Sequence, residues 1–594
     1  MFKYYKQFNH IINEYGLAKF YFLILLFIFL PFIELLGITS LFGYIQVLFS
    51  EKDNYLFATV RNLLNLSNND DFLLYTSLIV VFLIILRNVY VVFVSIFKTK
   101  YFAYLGNFLS AKLLNSYFKQ KYSFFLKNNS SILVKNINDE THVFSYGFLA
   151  SVIDIISSLI VTVTMLTIIF YYNFQVSIIT MSILGGFYLI YYYFTKERLL
   201  SLGAEKLANN NARFQNVSQS IQGIREIKVF NLEKVFIKIC DRYFKGSASI
   251  ILRKFIISFL PRYIVETLVF LGLIFTIFFS VSKGAEFNSI FEMLSLYILV
   301  GYRILPYLEK LFQSVNKIKY SLPTVNLVMS QLSIYPDKEF INEEFTINKI
   351  QFKKEIALEN IGFSFNDKKK VLDDVNIKIN KNNFIAIVGK TGSGKTTLLN
   401  IFLGLLETTT GSLSVDGKII DKKNVKSWQD NLGYVPQDVY IFENSIRNNI
   451  VLYNEKYKDI DQKIIEAAKK AEIFDFIESL DQKFDSKIGE RGTNLSGGQK
   501  QRLAIARALF ADPDILIFDE ATSNLDNQTA SAFIESLDNL KKLDKTVILV
   551  THDVKLTKKF DKIIFLKDGR IHAEGSYQQL NNNTDAFREL ISED

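Results

Sequence analysis

The sequence predicts a multi-domain membrane protein, with six transmembrane helices followed by an α/β domain of the phosphate-loop class. Three observations carry this. Apolar residues crowd the chain before residue 320, and charged residues dominate after it. The polar half holds a phosphate loop, Gly389-Lys390-Thr391-Gly392-Ser393-Gly394-Lys395-Thr396. Downstream of it come Leu495-Ser496-Gly497-Gly498-Gln499 and the apolar run Ile515-Leu516-Ile517-Phe518 that ends in Asp519-Glu520.

At 594 residues the chain exceeds what one core supports. Its hydrophobic fraction of 49 % and aromatic fraction of 15 % are high for a soluble protein. The net charge of +9 resides mainly in segments that flank apolar helices, so it reads as membrane topology. With no aromatic-basic recognition motif beside it, nucleic acid is not expected as a partner. Cys240 is the only cysteine, which rules out a disulfide framework or a cysteine metal cluster and suits a small packed side chain. The N-terminus, MFKYYKQFNH, reads as uncleaved. Abundant Lys, Asn, Ile and Phe with scarce Pro and Trp point to an AT-rich bacterial genome, and hence to the bacterial inner membrane.

Six stretches reach the roughly 20 apolar residues that a bilayer crossing needs: 19–49, 72–97, 143–172, 174–194, 255–281 and 288–322. Tyr171-Tyr172-Asn173 leaves room only for a tight hairpin between the third and fourth. The segments 98–142 and 195–254 are rich in Lys and Arg, whereas the opposite loops hold only Lys52, Arg61 and Lys283. The basic segments belong in the cytoplasm, which puts both termini and the phosphate-loop half there too. Segments of that length are not expected to be structureless. The membrane helices should continue into the cytoplasm, joined by short transverse helices near 122–133 and 222–233. In the first external loop, Leu56, Phe57, Val60, Leu63 and Leu64 share one helical face, which predicts an amphipathic helix over 55–66 at the membrane interface. The expected domains are a transmembrane region at 1–322, a linker at 323–349 that contains Pro323 and Pro336, and a nucleotide-binding domain at 350–594.

The phosphate loop has the context that its chemistry needs. Phe384-Ile385-Ala386-Ile387-Val388 reads as a strand before it, and Thr397-Leu398-Leu399-Asn400-Ile401 as a helix after it. Its glycines let backbone N–H groups close around phosphate oxygens, and the helix N-terminus adds its dipole. Lys395 has the reach for the β- and γ-phosphates, and the Thr396 hydroxyl suits Mg²⁺. Asp519, at the end of an apolar strand, is the expected carboxylate for Mg²⁺. Phosphoryl transfer needs such positioning and charge stabilisation more than covalent chemistry.

The central Leu495–Gln499 segment resembles the signature of the ABC ATPases, in which two nucleotide domains sandwich ATP and each presents this segment to the other's nucleotide. The resemblance covers nearly the whole chain and implies the type IV exporter fold. By it, Phe365 stacks on adenine, Gly389 and Thr391–Thr397 bind ATP, and Gln437 in Tyr434-Val435-Pro436-Gln437 senses Mg²⁺ and water. It implies that Glu520 polarises the attacking water and that His552 in Val550-Thr551-His552 contacts the γ-phosphate. It also implies a D-loop at Ser523-Asn524-Leu525-Asp526 and an exporter-type loop at Ile488-Gly489-Glu490-Arg491-Gly492. Asp553 follows the histidine where such exporters more often have Arg. The metal positions are Thr396, Gln437 and Asp519, and the cofactors are ATP and Mg²⁺. One complete motif set with one set of spans implies a homodimer with two competent sites.

The cargo must be read from the membrane half. Charges within spans are costly, about 2.5–3.5 kcal/mol each at the centre. Arg87 and Arg303 lie about 22 Å in from the external end and Arg262 about 10 Å from the cytoplasmic end, counting about 1.5 Å per residue. A dimer would hold six such arginines, suited to a phosphate or diphosphate headgroup. Glu34, Asp154 and Glu266 also fall within spans, and Glu266 is spaced to pair with Arg262 on one helix face. Pro261-Arg262-Tyr263-Ile264-Val265-Glu266, Tyr302-Arg303-Ile304-Leu305-Pro306 and Phe32-Ile33-Glu34 resemble segments of the lipid-linked oligosaccharide flippases of bacterial protein N-glycosylation, the PglK subgroup. That resemblance implies a polyprenyl-diphosphate-linked oligosaccharide or related glycolipid as cargo, moved from the inner to the outer leaflet. Export of a peptide, lipid or drug is the alternative. An ATP-gated channel or regulator would be expected to have lost Glu520 or His552, and six spans exclude a soluble ABC protein.

Overall fold

The computed structural model describes residues 5–49, 69–172, 174–282, 287–332, 349–365, 370–453, 459–489, 492–520 and 544–593. The predicted external helix at 55–66, the D-loop with Asp526, most of the linker, and Glu490 and Arg491 lie outside the described residues. Contacts divide the chain into two compact units, residues 1–120 with 124–338 and residues 121–123 with 339–594.

The first unit is built on six long helices: α1 (Tyr5–Phe49), α2 (Asn69–Phe118), α3 (Ala150–Tyr172), α4 (Phe174–Gln222), α5 (Glu233–Ser282) and α6 (Phe287–Leu332). Four segments of the described residues, on α1, α2, α5 and Val143–Tyr171, are long and apolar enough to cross a membrane. At about 1.5 Å per residue, the 50 residues of α2 and of α5 measure about 75 Å, far more than a hydrocarbon core of about 30 Å. The helices are therefore long enough to extend beyond a bilayer, as the sequence expects. Short helices Tyr122–Lys127 and Ser130–Lys135 follow α2, and Ile224–Val229 joins α4 to α5. Two π-helical segments, Asn136–Glu140 and Val143–Leu149, lead into α3.

One side-chain core knits this unit together, with Leu23, Leu30, Phe102, Leu105, Val161, Met165, Val300 and Val328 among its members. Large apolar side chains such as Phe82, Ile85, Val89 and Val92 on α2 face outward, as a surface solvated by lipid requires. Cys240 is a buried free thiol, as its small size suggested.

The linker expected from residue 323 begins later, because α6 runs through Pro323 to Leu332. Proline removes one helical hydrogen bond, but tertiary contacts hold the turn. Val325, Val328 and Met329 are buried in the core, and Thr324 Oγ1 donates to Glu140 Oε2 at 2.7 Å. Helix α4 approaches this turn so closely that a Cβ on Gly203 would meet the Tyr320 carbonyl oxygen at 2.2 Å.

The second unit contains two sheets. Strands β1 (Glu355–Ser364), β2 (Lys370–Asn380), β4 (Thr410–Val415) and β5 (Lys418–Ile419) make an antiparallel sheet in the order β2-β1-β4-β5. Strands β3 (Phe384–Val388), β6 (Leu432–Val435), β7 (Ile515–Asp519), β8 (Thr546–Thr551), β9 (Lys562–Lys567) and β10 (Arg570–Gly575) make the second, in the order β10-β9-β3-β8-β7-β6. It is parallel except for β10. Its central strands are buried on both faces, which explains their unbroken apolar runs. Ile385, Ile387, Ile515, Ile517, Ile548 and Val550 join the core shared with the antiparallel sheet. Ala386, Val388, Leu516, Phe518, Val547 and Leu549 join the core beneath the helices. In register, Val388 pairs with Thr551 and Asp519 with Val550, so three parallel strands end side by side. The crevice beyond such ends is where open α/β sheets bind ligands.

Candidate functional site

Strand β3 delivers the phosphate loop and helix α7 (Lys395–Phe402) leaves it. Gly394 caps α7 at φ 103°, a left-handed conformation open to glycine and strained for other residues. The N–H of Leu398 is bonded to the Gly394 carbonyl at 2.9 Å. The N–H groups of the helix's first three residues remain to meet an anion. Lys395 is buried, and its ammonium folds back onto the carbonyls of Gly389 at 2.5 Å and Lys390 at 3.2 Å. Burial lowers its pKa, and the nearby carboxylates of Glu520 and Asp519 oppose that shift. Ser393 Oγ is buried with no hydrogen-bond partner among the described residues. Thr391 and Thr396 are exposed, whereas Thr397 is buried in the domain. An orphaned hydroxyl, a cation resting on carbonyls and free helical N–H groups together fit a polyphosphate.

Asp519 and Glu520 lie at the end of β7. Burial raises the Asp519 pKa, and Glu520 adds to the rise, while Tyr434 and Lys395 oppose it. Tyr434 Oη donates to Asp519 Oδ2 at 3.3 Å, and burial with this carboxylate drives the tyrosine pKa upward. Glu520 adopts φ 46°, a costly conformation for a residue with a side chain. Its N–H donates to the Val550 carbonyl at 2.7 Å, which fixes it against β8. Gln437 Nε2 donates to Glu520 Oε2 at 2.7 Å, and His552 Nδ1 lies 3.7 Å from Glu520 Oε1. The structure thus gathers Lys395, Gln437, Asp519, Glu520 and His552 from four separate stretches of sequence.

Among the described residues no group of three or more His, Cys, Asp or Glu could hold a metal by itself. The donors present, a Thr396 hydroxyl, a Gln437 amide and the Asp519 carboxylate, fit Mg²⁺ shared with phosphate oxygens, since Mg²⁺ is usually bound by one or two carboxylates plus substrate.

Phe365 is exposed and stands edge-on to Phe363, with centroids 4.9 Å apart. Ser496 caps helix α8 (Gly497–Phe510) through a reciprocal box: Gln499 N–H donates to Ser496 Oγ at 3.2 Å, and Ser496 N–H donates to Gln499 Oε1 at 2.9 Å. Leu495 anchors the segment on the core, while Ser496 and Gly497 are exposed. Tyr434 was missed as a functional candidate. Its signal was parity, because on β6 it follows the buried Gly433 and precedes the buried Val435.

The helical unit contains its own charged clusters. Arg87 Nε donates to Glu34 Oε1 at 3.0 Å, and its Nη2 pairs with the same oxygen. Tyr307 Oη donates to that oxygen at 2.6 Å. Arg303 Nη1 lies 4.0 Å from Glu34 Oε2, an oxygen that accepts no hydrogen bond among the described residues. Glu34 is fully buried, so Arg87 and Arg303 converge on one carboxylate. Arg262 does not join them, and the pairing with Glu266 suggested by spacing is not formed. Arg262 instead reaches Glu309 on α6, 3.2 Å away, because an interhelical carboxylate lies closer. Asp154 pairs with Lys98 and Lys310, at 2.8 and 2.9 Å, rather than with an arginine.

Comparison with known proteins matches both halves. The family model described as "ABC transporter transmembrane region" matches residues 20–301, and that described as "ABC transporter" matches residues 372–523. The chain is 28% identical over 496 residues to an ATP-dependent lipid A-core flippase of Syntrophus aciditrophicus, covering 82% of this chain and 80% of the flippase. It is 37% identical over 262 residues to multidrug export ATP-binding/permease proteins of Staphylococcus aureus, covering 43% of this chain and only 45% of theirs. A solved bacterial Atm1-family ABC exporter with ATP bound shares the fold at TM-score 0.79 and 20% identity, covering 98% of this chain and 99% of that one.

Proposed function

We propose that this chain, which belongs to the ABC exporters and hydrolyses ATP to drive transport, works as a homodimeric flippase for a polyprenyl-diphosphate-linked oligosaccharide or related glycolipid. The observation that carries the cargo reading is the surplus of positive charge around Glu34. Two arginines, from α2 and α6, share one buried carboxylate. A surplus cation in an apolar segment is costly and suits an anionic headgroup, which a guanidinium grips bidentately. The similarity of this chain to a lipid A-core flippase, over 82% of this chain and 80% of the flippase, supports a lipid cargo.

In the motor, Lys395 would leave its two carbonyls for the β- and γ-phosphates. Thr396, Gln437 and Asp519 would hold Mg²⁺, whose positive charge neutralises phosphate oxygens. Glu520, held by its strained backbone and Gln437, would orient the attacking water and draw its proton. His552, beside Glu520, would contact the γ-phosphate. Leu495–Gln499 would face the nucleotide of the second copy, with the exposed end of α8 aimed at its phosphates. The basic segments 98–142 and 195–254 favour cytoplasmic termini in a bacterial inner membrane.

The test is translocation by the full-length protein in proteoliposomes. ATP-dependent loss of labelled polyprenyl-diphosphate oligosaccharide from the leaflet exposed to the ATPase is expected, and Arg303→Ala should block it. The multidrug export relatives favour a second reading, drug export. ATPase stimulation by amphipathic drugs, with none by the glycolipid, would replace the first reading with the second.

A further inference from the structure

The charges around Asp154 repeat the pattern around Glu34. In the first cluster α2 supplies Arg87, α6 supplies Arg303 and α1 supplies the carboxylate. In the second, α2 supplies Lys98, α6 supplies Lys310 and α3 supplies the carboxylate. Lys98 Nζ donates to both Asp154 oxygens, at 2.8 and 3.1 Å, and Lys310 Nζ lies 2.9 Å from Oδ1.

Lys310 follows Arg303 by about two helical turns, so the two share a stripe of α6 about 10 Å apart along its axis. Lys98 follows Arg87 by about three turns, or about 16 Å along α2. The second cluster therefore lies farther along both helices in the same direction, toward the face proposed as cytoplasmic.

A structural ion pair needs one cation for each carboxylate, and here each carboxylate has two. In the first cluster the more distant cation is on α6, and in the second the more exposed one is. Arg303 is the distant partner of Glu34 at 4.0 Å, and Lys310 is 37% exposed against 19% for Lys98. The stripe continues to Lys317, which repels both Lys310 and Lys254. Lys254 and Lys206 in turn sit over the ring of Tyr320, at 4.7 and 5.8 Å. The order of residue types is also physical. Strongly hydrated lysines come first, and the more weakly hydrated arginines lie deeper.

We propose that Lys98, Asp154 and Lys310 form a second anion-binding station, which receives a phosphate-bearing group before Arg87 and Arg303 and holds Asp154 as the resident counter-ion that the phosphate displaces. The station rests on the flippase reading only in that a diphosphate headgroup is one source of such a group.

The test measures retention of a polyprenyl diphosphate by the full-length protein in phosphatidylcholine nanodiscs, read by native mass spectrometry. Asp154→Asn releases both lysines and should raise affinity about tenfold, whereas Lys310→Gln should lower it about tenfold, the scale of one charge-assisted hydrogen bond. Lys310→Arg keeps the cation and should retain binding. A merely structural cluster would not respond with opposite signs, so a shared loss in Asp154→Asn and Lys310→Gln, or no change in either, overturns the station. Inorganic pyrophosphate, titrated without lipid, separates the sources. Opposite signs with this probe also support the station and assign it to a soluble phosphate. Flipping is scored apart. Opposite signs without flipping would keep the station and remove the glycolipid cargo. Flipping that continues while neither substitution changes binding would do the reverse.

Discussion

The nucleotide site and the Glu34 cluster are built from similar parts, a cation, a carboxylate and a tyrosine hydroxyl, yet their architectures differ. At the nucleotide site the backbone does the positioning. Lys395 opens a helix, Asp519 ends a strand, and Glu520 is fixed by its own N–H against β8. Around Glu34, four side chains from three helices meet with no backbone group fixing the encounter. A site held by backbone can keep its geometry through a catalytic cycle. A site made of side chains on separate helices changes whenever those helices move, which suits a transport pathway that must bind and then release.

The sharpest way to test the contrast is at Glu520. Glu520→Gln should lower ATP turnover by about two to four orders of magnitude, as expected for losing a group that takes a proton. Nucleotide should remain bound, seen as retained radiolabelled ATP alongside lost phosphate release. Near-normal hydrolysis would move the water-orienting role elsewhere.

The membrane cluster should respond in stability first. Arg87→Ala leaves buried Glu34 without its main partner and should cost about 3 kcal/mol in thermal or chemical unfolding. Arg303→Ala, removing a contact at 4.0 Å, should cost clearly less. Equal losses would show that both arginines are structural.

A smaller effect is expected at Lys395. Lys395→Met should weaken ATP binding by about 2 kcal/mol, the value of a hydrogen bond to a charged group, measured by nucleotide titration. Undiminished affinity would leave the loop's N–H groups as the whole phosphate site. The smallest is Tyr434→Phe. Losing one hydrogen bond to Asp519 should cost about 1 kcal/mol, or about fivefold in turnover. No change in the metal dependence of turnover would make Tyr434 a packing residue.

Within the ATPase half, strand β3, the loop and α7 were legible because the motif and the flanking apolar runs are contiguous. The capping box of Ser496 and Gln499 is equally local. Other features were not legible, for identifiable reasons. Pro323 reads as a helix stop, but packing of Val328 and Met329 overrides it. Arg262 and Glu266 are spaced to pair, but Glu309 on a neighbouring helix offers a carboxylate across the interface. Lys98 reads as a loop cation by the positive-inside pattern, although it lies within α2 and neutralises Asp154.

The sequence by itself determined the two-part architecture, the family of the motor and the residue types at its nucleotide site. Hydrophobic length, strand-to-helix context and backbone-built motifs are all encoded over short stretches. Only the tertiary structure decided which charges in the membrane half are partners: Glu34 with Arg87, Tyr307 and Arg303, and Asp154 with Lys98 and Lys310. Helices of about 75 Å bring residues far apart in the chain to one level of the bundle. In a medium that cannot solvate a lone charge, proximity across helices chooses the partner, and sequence spacing does not.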